Sequence, residues 1–459
     1  MNLTFASLPR TRVAIDAAAA QGPLEWWRPA LGQGGINTHP LPERVIAGVR
    51  KLQPRLIRIF LQECFAFYPE RGRFDWSLLD PYMDSFARTG AKIVAAITFK
   101  PNVLFPTIDE TVWQPNDVAE WQQVVSALVQ RYSVERPFVT YWEIGNEVDI
   151  GEDGGCPYLI RDPQAYADYY RLTIAPILKA FPEAKVGGPA CASVSNEPLP
   201  GLIEYCLQTG TPLDFVSWHL YSSDTRRHVA GIERVKAQLA RFPGKRPEML
   251  ITEWNNSFPP VSVEEDAFDP RRAANLAVSL LAMQEAGLDW SFYYHIWDQV
   301  FYPDAFRPFF SERGLANMLT HWNEIPHRMG LFGVGEEARP SYFVYQMLSR
   351  LGEERLKASS DEADITVWAG RSEGRIAALL INFNAQTARG QIVTVQFANL
   401  DAGRRRLTTY RIDADRRWDT ERLELLPVEQ REVFVSPAFR CQVYSPADSV
   451  LLLTLEEMR

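Results

Sequence analysis

The sequence is poor in the residues and patterns that mark metal-dependent, nucleotide-dependent and membrane-bound proteins. Cysteine is scarce: five occur in 459 residues, at 64, 156, 191, 206 and 441, with long spacings and no CxxC. An odd, scattered set supports neither a disulfide framework nor a zinc knuckle, and predicts reduced thiols in a cytoplasmic protein. The six histidines (39, 219, 228, 295, 321 and 327) show no metal-ligand spacing, and neither HExxH nor an EF-hand loop is present. The glycines of GQGG and GVGEE lack the GxGxxG frame, and no GxSxG elbow occurs. The expectation is an activity with no cofactor and no metal. No apolar run approaches the roughly 18 residues of a membrane span. The opening MNLTFASLPRTRVAID is broken by Arg10 and Arg12 before a signal-peptide core could form. Basic residues are also in deficit, 48 Lys and Arg against 57 Asp and Glu for a net charge of −9, which argues against a nucleic-acid partner. Oligomeric state stays open, a homo-oligomer included.

Aromatic residues, by contrast, are plentiful: 13 Trp, 17 Tyr and 25 Phe. Such a number fills a large core, and a share of it could also line a cleft in which flat rings stack on a sugar. From about residue 30 to 350, β-rich runs alternate with amphipathic stretches. The runs are 30–35, 55–61, 92–99, 138–144, 184–190, 214–221, 248–254 and 290–296. Between them, 270–286 repeats Ala273, Leu276, Ala277, Leu280 and Leu281 at helical spacing, opening at Asp269-Pro270 and closing at Gly287. A second helix is expected over 116–131, opening at Asn116. Eight strand–helix repeats predict an α/β fold, a (β/α)8 TIM barrel; an open doubly wound sheet is the alternative that periodicity cannot separate. After Gly352 the texture becomes β-rich with turn residues between runs, which predicts a C-terminal β-sandwich domain. The expected division is 1–25 as a β segment joining the sandwich, 26–352 as the barrel and 353–459 as the sandwich. Arg404, Arg405 and Arg406 are expected in a solvated turn between strands.

Working residues of such a barrel sit at the C-terminal ends of its strands. The fourth candidate strand ends in Tyr141-Trp142-Glu143-Ile144-Gly145-Asn146-Glu147, and the seventh in Leu250-Ile251-Thr252-Glu253-Trp254-Asn255. These strands face each other across a barrel, so Glu147 and Glu253 could flank one bound molecule. Retaining glycoside hydrolysis needs such a pair, one carboxyl protonated and the other ionised. Either glutamate alone would read as a loop carboxylate or a barrel-mouth ion pair. Trp297, after the eighth strand, is a candidate sugar platform; Asp298, Trp26, Trp27 and Gln62 are weaker candidates, closer to scaffold.

The GNE at 145–147 and ITEWN at 251–255 resemble the acid/base and nucleophile motifs of clan A retaining glycoside hydrolases. Within that clan the sequence is most similar to glycoside hydrolase family 39, the β-xylosidase and α-L-iduronidase family. WWRPALGQG (26–34), GRFDWSLLDPYMD (72–84), VGGPA (186–190), DFVSWHLY (214–221) and ARPSYFVYQMLSRLG (338–352) add to the likeness. The resemblance implies that Glu147 is the acid/base, that Glu253 is the nucleophile, and that Asn146 holds the sugar's 2-hydroxyl. It implies that Arg58 keeps Glu253 ionised, although a core pairing of Arg58 with Glu143 is also open. His219 and Tyr221 match the family's His-x-Tyr near the nucleophile. The implied substrate is a short oligosaccharide or glycoside. The implied activity is β-xylosidase-like, with α-L-arabinofuranosidase or another clan A glycosidase as the alternative and a non-catalytic carbohydrate-binding barrel as the alternative of another class.

Three features depart from the family pattern. The strand-two run Arg58-Ile59-Phe60-Leu61-Gln62-Glu63 lacks the histidine usual shortly after the arginine. Gly145 stands where Trp is commoner, and Val148 where Pro is usual. Gly-Asn-Glu is closer to the arabinofuranosidases of family 51. The Gly-rich stretch 149–162 is expected to form a lid or subsite wall.

Overall fold

The computed structural model describes residues 8–257, 268–324, 328–386 and 388–458. After β1 (Arg10–Pro23) come eight parallel strands: β2 (Pro29–Gln33), β3 (Leu56–Leu61), β4 (Lys92–Ile97), β5 (Val139–Ile144), β6 (Lys185–Cys191), β7 (Phe215–Tyr221), β8 (Glu248–Asn255) and β9 (Trp290–Tyr294). Each pairs with the next, and β9 returns to β2, from Pro29 opposite Ser291 to Gly32 opposite Tyr294. That last pairing closes the sheet and excludes the open alternative. Among the described residues seven α-helices separate these strands: α1 (Glu43–Leu52), α2 (Leu79–Ala87), α3 (Val118–Val129), α4 (Pro163–Ala180), α5 (Pro198–Thr209), α6 (Thr225–Leu239) and α7 (Pro270–Glu285). Two more come later, α8 (Glu312–Leu319) and α9 (Pro340–Leu348).

Local chemistry explains the boundaries. Helix α3 starts two residues later than Asn116 suggests, because Asp117 is its cap: the Asp117 carboxylate accepts from the Glu120 amide at 3.0 Å. Asn116 instead accepts from Arg71 at 3.0 Å. Inside the barrel, Ala30, Leu56, Val94, Tyr141, Phe215, Leu250 and Phe292 fill the lower layer, one from each of seven strands. The eighth strand supplies glycine: a Cβ on Gly187 would stand 2.2 Å from the Phe215 carbonyl oxygen. This plug is a packed core, so the open space lies above it, at the strands' C-terminal ends.

By contacts the chain divides into two compact units, Arg28–Val263 with Ala282–Glu336, and Met1–Trp27 with Glu264–Leu281 and Glu337–Arg459. All eight barrel strands fall in the first. The second holds α9, most of α7 and the later strands: β10 (Glu354–Ser360), β11 (Ile365–Ser372), β12 (Arg375–Asn382), β13 (Gln391–Ala398), β14 (Gly403–Ile412), β15 (Trp418–Asp419), β16 (Glu424–Leu425), β17 (Glu429–Val435), β18 (Ala438–Ser445) and β19 (Ser449–Glu457). Apart from the short β15–β16 pair these form one nine-stranded sheet, in the order β17-β14-β19-β12-β11-β10-β1-β13-β18. Strand β1 lies between β10 and β13, so this part of the amino-terminal segment is integral to the sheet; residues 1–7 of the expected 1–25 segment lie outside the described residues. Val393, Val395 and Phe397 on β13 and Leu451, Leu453 and Leu455 on β19 alternate into a single core that includes both edge strands and no helical residue. A sheet that buries its inner face with nothing but its own strands must fold over on itself, sandwich fashion. The register shifts in β1 between Asp16, Ala20 and Pro23 are bulges of the kind that permit such bending. The Arg404–Arg406 run corrects the sequence reading: it lies within β14 rather than in a turn, with Arg405 buried and bonded to Glu457 at 2.7 Å. Among the described residues no helix is long and apolar enough to cross a membrane.

Candidate active site

Strand β5 ends in a turn with two left-handed residues. Gly145 has φ +96° and Glu147 φ +45°, both left-handed. A Cβ on Gly145 would meet Val148 Cγ1 at 2.8 Å, so glycine here and valine there are one packing solution. The Glu147 amide donates to the Ala190 carbonyl at 2.8 Å and fixes the turn at the barrel mouth. Gly154 packs directly on the carboxyl, where any Cβ would stand 2.0 Å from Glu147 Oε2. Opposite, β8 carries Glu253. One carboxylate oxygen from each glutamate and a ring nitrogen of His219 lie within 4.8 Å of one another. The side chains of Glu147 and Glu253 are 12% and 7% exposed, so both are desolvated yet reachable from the cleft.

Arg58 on β3 organises the floor of this pair. Its Nε donates to Glu143 at 2.6 Å, Nη1 to Glu253 Oε1 at 2.7 Å and Nη2 to Asn146 Oδ1 at 2.7 Å. One guanidinium thus contacts both of the partners the sequence offered it, Glu143 and Glu253. The Tyr221 hydroxyl donates to Glu253 Oε2 at 2.6 Å. His219, fully buried, places Nδ1 2.9 Å from Glu147 Oε1 and 3.6 Å from Glu253 Oε2.

The electrostatics separate the two glutamates. Burial pushes the Glu147 carboxyl well above the ordinary range, and the charges of Glu253 and Asp149 add to the effect. Burial also raises Glu253, but less far, because Arg58 and the Tyr221 hydroxyl oppose the rise. Burial, reinforced by Arg58, holds His219 well below its usual value, so the ring is neutral. A neutral ring shares one proton with Glu147 across the 2.9 Å contact between Nδ1 and Oε1, which keeps a protonated carboxyl in place at the cleft. The pair can therefore offer one proton donor and one anion to the same bond.

The cleft above has a volume of about 500 Å³. Asn146, Glu147, Tyr221 and Glu253 line it, joined by Phe60, Gln62, Tyr294 and Trp322. Arg58 and His219 lie beneath this lining, acting on the carboxylates rather than facing the open space. Trp297 is not among the lining residues: its main chain is tied to the Gln33 side chain at 2.8 and 2.9 Å. Asp298 is likewise internal, bonded to His295 at 2.7 Å and to the Gly330 amide at 2.8 Å, and neither Trp26 nor Trp27 lines the cleft. The tryptophan at the cleft is Trp322, from the π-turn Thr320–Glu324, with its ring 6.2 Å from that of Tyr294. No motif marks that turn, so the sequence offers no signal for it. Ile150, Asp153, Gly154 and Gly155 make the stretch 149–162 a wall of the cleft. Glu152 clamps this wall to the start of α8 by accepting from the Ser311 amide at 2.8 Å and from its hydroxyl.

Glu147, His219 and Glu253 could geometrically ligate a metal ion. The guanidinium already bonded to Glu253 opposes a second cation there, since the two would repel across a few ångströms of protein.

A parallel eight-stranded barrel with two facing glutamates at its C-terminal mouth defines the class of (β/α)8 barrels with a paired-carboxylate cleft. Within it, residues 12–387 match the model of glycosyl hydrolases family 39, and the chain belongs to that family. It is 24% identical over 355 residues to a β-xylosidase of Geobacillus stearothermophilus, covering 70% of this chain and 64% of that one. It is also 24% identical over 336 residues to a β-xylosidase of Caldicellulosiruptor saccharolyticus, covering 68% and 64%. The matches thus span less than two thirds of these relatives' length. In fold it resembles the crystal structure of a monomeric β-xylosidase from Caulobacter crescentus, with TM-score 0.77 and 19% identity over 98% of this chain and 100% of that one.

Proposed function

We propose that this protein is a retaining glycoside hydrolase of β-xylosidase type acting on short oligosaccharides or glycosides. The observation that carries the reading is the pair of glutamate oxygens within 4.8 Å, one carboxyl pushed strongly toward its protonated form and the other held by Arg58 and Tyr221. Retaining enzymes place their carboxyl groups about 5–5.5 Å apart, whereas inverting ones leave about 6.5–9.5 Å for a water. Glu147 gives its proton to the glycosidic oxygen as the bond to the anomeric carbon breaks. Glu253 attacks that carbon and forms a glycosyl ester. The ionised Glu147 then takes a proton from water, which attacks the same carbon, releases Glu253 and restores the starting configuration. Asn146, its Oδ1 occupied by Arg58, keeps its amide N–H groups for the sugar's 2-hydroxyl. Five buried free thiols support a reducing, cytoplasmic setting.

The test is Glu253→Ala. Turnover of p-nitrophenyl xyloside falls by at least about 10⁴-fold, and azide restores part of it with the glycosyl azide of inverted configuration. Full activity in this variant sinks the assignment. α-L-Arabinofuranosidase activity is the second reading, favoured by Gly145-Asn146-Glu147 with its Gly145–Val148 contact, and faster release from the arabinofuranoside would select it. Sugar binding with no release from any aryl glycoside would select a non-catalytic binder.

A further inference from the structure

Arg58, Phe60 and Gln62 occupy alternate positions along β3 and its extended continuation, where Gln62 has φ −121° and ψ 166°. Alternate side chains leave a strand on the same side. The first of the three holds Glu253 at the bottom of the site. Its guanidinium lies 4.5 Å from the centre of the Phe60 ring, and Phe60 and Gln62 both line the cleft. One strand thus presents an apolar ring and an amide in succession toward the space a ligand would fill, with the Arg58 cation beneath them.

Gln62 is 5% exposed, and its Oε1 is buried with no hydrogen-bond partner among the described residues. The main chain is shaped around it. A Cβ on Gly35 would come within 3.1 Å of that oxygen, and one on Gly34 within 1.9 Å of the Tyr294 hydroxyl. The two glycines of Gly34-Gly35 therefore let the chain press the amide and the phenol against the cleft. A buried acceptor left unmet is costly, and native proteins keep few of them. Gln62 lines the cleft, and a half-turn of its terminal amide, which no hydrogen bond among the described residues holds, brings this acceptor to face an O–H or N–H of the ligand. The family's usual histidine is absent from this strand, and Gln62, just past the end of β3, is the polar side chain that the stretch 56–62 places in the cleft lining.

We propose that Gln62 determines specificity by accepting, at Oε1, the O–H of a ring hydroxyl of the bound glycone other than the 2-hydroxyl, while Phe60 packs against the neighbouring ring carbons. This rests on the glycosidase reading above. The 2-hydroxyl is assigned to Asn146, so a second hydroxyl held by Gln62 would fix the ring's rotation over Glu253.

The experiment compares kcat/KM for p-nitrophenyl β-xyloside and its 3-deoxy and 4-deoxy analogues in the wild type, Gln62→Met and Gln62→Glu. In the wild type one analogue is slower than the parent by about 10–100-fold, the range expected for a hydrogen bond made to a buried partner. In Gln62→Met, which removes the acceptor, that penalty shrinks to within about threefold. In Gln62→Glu, which keeps an acceptor, the penalty persists. An unchanged penalty in Gln62→Met, or no penalty for either analogue in a wild type that cleaves the parent, overturns the role of Gln62 and leaves the hydrolase reading standing. Failure of the wild type to cleave the parent or any other aryl glycoside overturns the hydrolase reading on which the proposal rests.

Discussion

At the scale of single residues, Arg58 does the most. One buried guanidinium bonds Glu143, Glu253 and Asn146, so the proposed nucleophile faces a cation that is itself paired on every side. Removing one partner of such a set leaves a buried charge uncompensated, typically at about 3–5 kcal/mol. The milder Arg58→Lys retains the charge but not the fork of donors. Because Arg58 lowers the pKa of Glu253, weakening its contact raises that pKa. The nucleophile must be ionised, so the acid limb of kcat/KM against pH moves to higher pH, with kcat lower by about 10²-fold. An acid limb in the wild-type position would show that Arg58 does not act on Glu253. Much of this was legible: the strand-end glutamates, Asn146, His219, Tyr221 and the arginine all stand in motifs, and the structure brings them together. Trp297 was not legible in the same way. A tryptophan just past the eighth strand can point either way, and the bonds of its main chain to Gln33 are contacts across more than 260 residues.

At the scale of elements, the strands announced themselves because each is a short apolar run followed by an amphipathic stretch, and both periods survive in the sequence. What decides the site's shape is carried by turns, where the sequence pattern is weaker. The turn after β5 needs Gly145 both for its φ of +96° and for the 2.8 Å approach of Val148. Gly145→Ala is expected to cost about 1–3 kcal/mol of unfolding free energy, read from urea midpoints. Val148→Ala in that background returns only the part due to the clash. Full recovery in the double variant would mean that the left-handed backbone carries no cost of its own. The wall at 149–162 was expected from its glycines, but what anchors it, and the turn bearing Trp322, were beyond sequence reading for a related reason. Glu152 reaches Ser311 across more than 150 residues, and nothing in either local sequence records that pairing.

At the scale of the whole molecule, the acidic balance of the chain conceals a small number of carboxyl groups that folding holds out of water. Glu63, beside the cleft residue Gln62, is fully buried with neither oxygen bonded among the described residues, and burial raises its pKa to about 8. In the unfolded chain it titrates near the ordinary value of 4.5. Its folded pKa is raised, so the unfolded state binds fewer protons across this interval. Its contribution to stability is complete below about pH 4.5 and is lost as pH rises toward 8. Glu63→Gln should therefore remove about 2–4 kcal/mol of the fall in unfolding free energy between pH 5 and pH 8, measured by urea denaturation. Identical pH slopes in the two proteins would mean that Glu63 is ionised in the folded state. The nine-stranded sheet illustrates the same limit of sequence reading. Alternation on β13 and β19 marks the strands, but the insertion of β1 between β10 and β13 is a pairing across hundreds of residues.

The central claim, that Glu147 and Glu253 act by double displacement, has a direct test in the anomeric configuration of the first product. Proton NMR of an aryl β-xyloside digest, recorded before mutarotation, should show the β-anomer of the free sugar appearing first and the α-anomer only later. Initial formation of the α-anomer would mean direct attack by water and would contradict the nucleophilic role of Glu253.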